Sequence, residues 1–251
     1  IYGPFPVTLK SYSGSKTNSV SYTAQIGRQV LHTSLKKLSS QGNGGANAGH
    51  IKAEMMSYFG GTDKNKTILA PVDKADFNIK QETMREISNT NLAGKASKGI
   101  VNGWPGQMTG KEVLEFMIEK AASTKGGFDP NTGYNYTQLI SKFAMGAVFY
   151  HQAVDNYLDE KLSAEKKPNN KPYKEGKHYT GKEHVWDEAW GYWGAAAHTL
   201  KLTPKESYEV AKMKNVAAAD VNGDGLVDLK SEMTFAHAYY ASSFDKGGKT
   251  N

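Results

Sequence analysis

Apolar residues along this chain return every three or four positions, the spacing that gathers them on one face of a helix, and no segment sustains the alternation of a strand. Tyr22, Ile26, Val30, Leu31, Leu35 and Leu38 form one such stripe, and with Ser19 in the capping position a helix is predicted to about Leu38. The glycine- and asparagine-rich stretch 41–49 breaks it, and a short helix follows over 51–59, stopped by Gly60 and Gly61. From 60 to 108 the pattern is weak and cut by Pro71, Gly94, Gly99, Gly103 and Pro105, with a turn or two of helix at 81–87. Irregular stretches of that length often carry function or wrap a core. Thr109 caps a helix over 110–122, striped by Val113, Leu114, Met117, Ile118 and Ala121.

The longest predicted helix covers 135–162, with apolar positions over more than half its circumference. His151 and Asp155, four residues apart, fall on its apolar side with Val148 and Leu158, where a polar pair must find partners. A central helix is predicted next, capped by Thr180 and ending near His198. At 100° per residue its two faces differ. His184, Asp187, Glu188, Gly191, Ala195 and His198 take one side, and Trp186, Trp190, Trp193 and Ala197 the other. The tryptophan stripe is expected to pack inward, and the small face to lie close against the 135–162 helix. Thr203-Pro204 opens a helix to Met213, with proline at the position where its missing N–H costs nothing. A last helix is predicted over 229–244. The fold class is therefore all-α: a single-domain bundle of six to eight helices over 19–245, with long irregular loops. Residues 1–18 read as an extended lead-in and 246–251 as a tail.

One stretch between the last two helices has a composition of its own. Asp220, Asn222 and Asp224 occupy positions 1, 3 and 5 of an EF-hand-like calcium loop over 220–232, and Gly225 takes the sharp turn at position 6. Leu226 offers its carbonyl at 7, Val227 is the apolar anchor at 8, and Asp228 stands at 9. Position 12 is Ser231, and the glutamate follows at Glu232, so closure is expected to need a one-residue adjustment where the exiting helix begins. A hard cation takes six to eight oxygens, which this spacing can deliver to one point. The calcium is expected to be structural, since regulatory loops usually come in pairs.

A second metal constellation is weaker. His184, Asp187 and Glu188 share a helix face, and His151 and Asp155 could face them from the preceding helix, as in metal sites within bundles. Iron, zinc or copper would suit such a set. The same residues also serve as dipole-favoured carboxylates in early helical turns and as buried hydrogen-bond partners. His-Glu-x-x-His, Gly-x-Ser-x-Gly and phosphate-loop motifs are absent.

Composition narrows the classes. The 251 residues contain no cysteine, which excludes disulfides and thiolate chemistry. Net charge is +6 with a pI of about 9.1. The lysines are scattered, densest over 161–177 among prolines and asparagines, and no aromatic ladder runs with them, so no nucleic-acid partner is expected. No apolar run approaches the ~20 residues of a transmembrane segment. Beginning at Ile1, the chain is expected to be the mature part of a secreted or surface-anchored protein.

Several of these features resemble one uncharacterised group of secreted bacterial lipoproteins, a domain-of-unknown-function family. They are Ser11-Tyr12-Ser13-Gly14, Gly27-Arg28-Gln29, Met145-Gly146-Ala147, the run from Trp186 to Tyr192, and the end from Ala218 through Asp228 to Glu232. The resemblance implies periplasmic or outer cell-surface placement with a lipid-bearing leader lying ahead of this chain. It also implies that the late glutamate is the usual form of the loop. A more distant likeness is to imelysin-like proteins, helical surface proteins linked to iron uptake, whose Gly-x-His-x-x-Glu is represented here by Lys182, His184 and Asp187. Three readings follow. The first is a calcium-binding helical protein holding a small ligand or metal between the 135–162 and 180–198 helices. The second is a metal-dependent hydrolase with Glu188 as base and His184 and His151 as ligands. The third is a scaffold or adhesion module with calcium alone. The chain reads as a binder before an enzyme.

Overall fold

A computed structural model describes residues 6–163 and 165–248. Residues 1–5 of the lead-in and 249–251 of the tail lie outside the described residues. Among the described residues the elements are helical, with isolated bridges and no strand. They are α1 (Thr23–Ser39), α2 (Ala48–Gly60), α3 (Gly110–Ser123), α4 (Tyr136–Ala144), a π-helix (Met145–Lys161), α5 (Gly181–Trp193), α6 (Pro204–Ala211), α7 (Val216–Ala219) and α8 (Ala236–Asp245), with short 3-10 turns between. The chain forms two compact units interleaved in sequence. One comprises Ile1–Ile26, Asp73–Gln81 and Gln152–Asn251, and the other Gly27–Val72 and Glu82–His151.

In the second unit α3 packs against both α2 and α4. Leu35, Met55, Phe59, Leu114, Ile118 and Phe149 are among its fully buried side chains. Burial of each such side chain contributes on the order of 1.5–3 kcal/mol. The predicted α1 stripe is buried at every position, from Tyr22 to Leu38. The helix begins at Thr23, so Ser19 is a buried residue ahead of it and not its cap. Thr109 is the cap of α3: its hydroxyl accepts the Glu112 N–H at 3.3 Å, and the Glu112 carboxylate accepts the Thr109 N–H at 2.7 Å.

The candidate chemistry lies on the later elements, and here five expectations change. The 135–162 helix is α-helical only to Ala144, then continues as a π-helix. Along that wider helix Met145, Val148, Phe149, Gln152, Ala153 and Tyr157 are buried, while Leu158 is exposed. The central helix, capped by Thr180 with Glu183 returning to the Thr180 N–H, stops at Trp193 and not near His198. Gly194, at φ 87°, takes the left-handed turn that ends it. The buried face of α5 carries Val185, Ala189 and Tyr192, while Trp186 and Trp193 are 39% and 43% exposed and Trp190 is half-buried, so the tryptophan stripe is not the buried face. The close contact of its small face is with the start of α1: a Cβ on Gly191 would lie 2.6 Å from the Gln25 Cβ and 3.0 Å from the Tyr22 Cβ. Finally, α8 starts at Ala236, so residues 229–235 form no exiting helix.

Candidate metal centre

The 220–232 loop is built by its own carboxylates. Both Asp220 oxygens face inward along the turn: Oδ1 accepts the N–H groups of Gly223 (2.8 Å) and Asp224 (3.2 Å), and Oδ2 accepts Gly225 N–H (2.9 Å). Asn222 Oδ1 accepts Asp224 N–H at 2.8 Å, and Asp224 Oδ1 accepts Leu226 N–H at 3.0 Å. Gly225 has φ 82°, which a side chain would strain. These bonds orient the first three candidate oxygen side chains around one tight turn.

Glu232 closes the loop from the far side. It is 1% exposed, and its two oxygens accept Val221 N–H (3.2 Å) and Asp228 N–H (2.7 Å). The exit is a turn, with Ser231 and Glu232 N–H groups both bonded to the Asp228 carbonyl. In this turn the thirteenth residue, and not the twelfth, reaches back over the loop, which accounts for the late glutamate in the absence of an exiting helix. Burial raises the Glu232 pKa above the usual carboxylate range against the pull of the backbone donors, and the charge on Asp220 pushes it the same way. An acid held like this is stabilised by positive charge beside it.

The partner of the loop left almost no mark in the sequence. Residues 73–81 run alongside it: Ile79 forms a parallel bridge with Val227, whose N–H donates to Asn78 O (2.8 Å) and whose carbonyl accepts Lys80 N–H (3.0 Å). Gln81 donates to Asp228 Oδ1 at 2.8 Å and accepts Leu229 N–H at 2.9 Å. Lys80 Nζ lies 2.9 Å from Asp224 Oδ2, and this bond, with the Leu226 N–H, holds the Asp224 carboxyl below its usual range. The only hint beforehand was a β-branched residue at Ile79 between polar neighbours in an otherwise patternless stretch.

The residues of the second constellation have separate partners. Asp187 is buried, and its Oδ2 accepts Ser21 N–H at 2.9 Å, ahead of α1. Glu188 Oε1 accepts the Gln25 amide at 2.9 Å. His184 Nε2 is 3.7 Å from Glu188, and its ring stacks on Tyr179 with centroids 5.0 Å apart. Burial lowers the His184 pKa, more than Glu188 raises it. Asp155 is exposed on the π-helix, and His151 belongs to the other unit. His198 Nε2 bonds the Ala218 carbonyl at 2.8 Å.

Among the described residues no three His, Cys, Asp or Glu side chains form a group fit to hold a metal ion. A soft or borderline metal needs such a set. A hard-cation loop also draws on amide and backbone carbonyl oxygens, which Asn222 and Leu226 supply here.

A third feature lies between α5 and the π-helix. Trp186, Ala189, Trp190 and Trp193, with Ala153, Val154 and Leu158 of the π-helix, line an open concavity of about 310 Å³ that is almost wholly apolar. The i, i+4, i+7 spacing of the tryptophans was legible, but their side of the helix was not.

The fold and these features define a helical protein with an acidic loop and a tryptophan-lined groove. The chain belongs to the family described as Domain of unknown function (DUF4856), whose model matches residues 16–226 and so ends inside the loop. No curated protein and no solved structure matches it. No described helix is long and apolar enough to cross a membrane.

Proposed function

We propose that this is a calcium-stabilised helical binding protein of the cell surface, periplasm or extracellular space. Calcium is bound at 220–232, and the ligand seats in the tryptophan groove. The observation that carries the calcium reading is the arrangement of Asp220, Asn222, Asp224 and Glu232. Their oxygens are oriented by loop N–H groups, with a buried glutamate closing over the turn. An ionised carboxylate has about four lone-pair sites, so each retains accepting capacity beyond those bonds. Asp220, Asn222, Asp224, the Leu226 carbonyl, Asp228 and Glu232 are the proposed ligands. The imelysin-like resemblance agrees with a helical surface protein and adds no site.

The groove supports a small apolar ligand over a second metal, because its lining offers packing and almost no donors. A hydrolase would need Glu188 as a base, and that carboxylate is bonded to Gln25. Elemental analysis of protein purified without added metal tests the reading. One equivalent of calcium and none of iron, zinc or copper is expected, with calcium lost in Asp220→Ala. Stoichiometric transition metal that disappears in His184→Ala would overturn it.

A further inference from the structure

The basic segment 161–177 holds six lysines against two glutamates, and it does not stand off as a bare solvated loop. It leads into a tied turn. Pro172 and Thr180 form an antiparallel bridge, Tyr173 N–H donates to Tyr179 O at 2.9 Å, and Lys177 N–H donates to Lys174 O at 3.0 Å. Beneath the turn lies an aromatic floor. Tyr173 and Tyr179 stack at 6.1 Å, His184 lies against both at 4.4 and 5.0 Å, and His178 packs edge-on to Tyr179 at 4.9 Å.

Over that floor sit three ammonium groups. Lys167 and Lys174 lie 5.7 and 5.5 Å from the Tyr173 ring centre, and Lys177 lies 5.9 Å from that of Tyr179. Attraction to the ring faces gathers these side chains, which would otherwise repel one another. None of the three has a carboxylate partner among the described residues. The acid at the edge, Glu183, is already engaged, accepting Thr8 Oγ1 at 2.8 Å and Thr180 N–H at 2.7 Å. Positive charge is therefore in excess at the turn, six lysines over 161–177 standing against Glu165 and Glu175, with Lys167, Lys174 and Lys177 outside any ion pair among the described residues. Burial lowers His178 and His184; Lys16 and Lys177 push His178 the same way against Glu183, and Lys167, Lys177 and Lys174 push His184 the same way against Glu188.

We propose that the turn at 172–180, with Lys167, is a docking surface for an acidic polysaccharide bearing carboxylates along its length. Charge complementarity selects a polyanion. The aromatic rings select against single-stranded nucleic acid, because Tyr179 is 4% exposed and Tyr173 is half-buried against Tyr179 and His184 with two ammonium groups near its ring, a poor platform for base stacking. The segment carries no arginine, the side chain that forks onto phosphate. Lysine ammonium groups act as point charges and suit carboxylates spaced along a sugar chain.

The test is binding of hyaluronate to the full chain with calcium present, with uncharged dextran and duplex DNA as comparison arms. The variants are Lys167→Ala/Lys174→Ala/Lys177→Ala and a charge-matched control, Lys64→Ala/Lys98→Ala/Lys201→Ala. Expected is salt-sensitive binding of hyaluronate and none of dextran. Hyaluronate affinity should fall about tenfold in the first variant, from three exposed pairings of a few-fold each, and stay within about twofold in the control. Melting temperatures of both variants should match the parent. No hyaluronate binding by the parent, equal losses in the two variants, or tighter binding of duplex DNA than of hyaluronate would each overturn the proposal.

Discussion

Asp187 shows how a residue that looks like a ligand can be a strut. It is 2% exposed, and its carboxylate holds the backbone N–H of Ser21 where the chain enters α1. Asp187→Ala leaves that donor without its partner, so chemical denaturation should register a loss of about 1–3 kcal/mol, with metal content unchanged. His184 makes a pH-dependent contribution. Burial lowers its folded pKa below the ordinary 6.5 of the unfolded chain, so folding favours the neutral ring. The stability it lends is present above about pH 6.5 and is lost as pH falls through the folded value. In His184→Phe the denaturation midpoint should vary less as pH falls below about 6.5, and an unchanged profile would remove His184 from the account. Residues of this kind were legible as types but not as roles, because Ser21 and Gln25 are more than 160 positions away from them.

At the scale of elements, local signals read well and the facing of helices did not. Thr109, Thr180 and Thr203, each with a glutamate three residues on, all proved to be capping boxes, since the bonds close within one turn. The α5 periodicity was equally clear, yet either of its faces could have been the buried one. The buried side is set by Gly191, where α5 meets the start of α1. Gly191→Ala should cost about 1–3 kcal/mol by overpacking. The tryptophans of the groove make a complementary prediction: Trp186→Ala should change stability little while weakening binding of an apolar fluorescent probe to the groove. A probe bound equally well by that variant would show that the groove is not its site. The π-helix and the absence of a helix at 229–235 were beyond the sequence pattern, since the apolar spacing there fits more than one helical pitch.

The whole chain is divided into two units that interleave in sequence, and one consequence bears directly on the loop. Residues 73–81 leave the surrounding sequence of their neighbours to join the unit that contains 220–232. The spacing of the acidic and amide residues in the loop was legible because it is local. Its bracing by Ile79, Lys80 and Gln81 was not, because the pairing spans about 147 positions and no repeat or motif marks it. Lys80 shares Asp224 with any cation in the loop, so Lys80→Met should raise calcium affinity by about two- to fivefold, as calorimetric titration would show.

The central claim is that calcium bound at 220–232 stabilises the fold, and thermal unfolding across a calcium titration tests it most directly. For the parent chain, saturating calcium should raise the melting temperature by about 5–10 °C over the chelated protein, and Glu232→Gln should abolish most of that rise. A melting temperature indifferent to calcium in the parent, or a rise retained in full by Glu232→Gln, would contradict it.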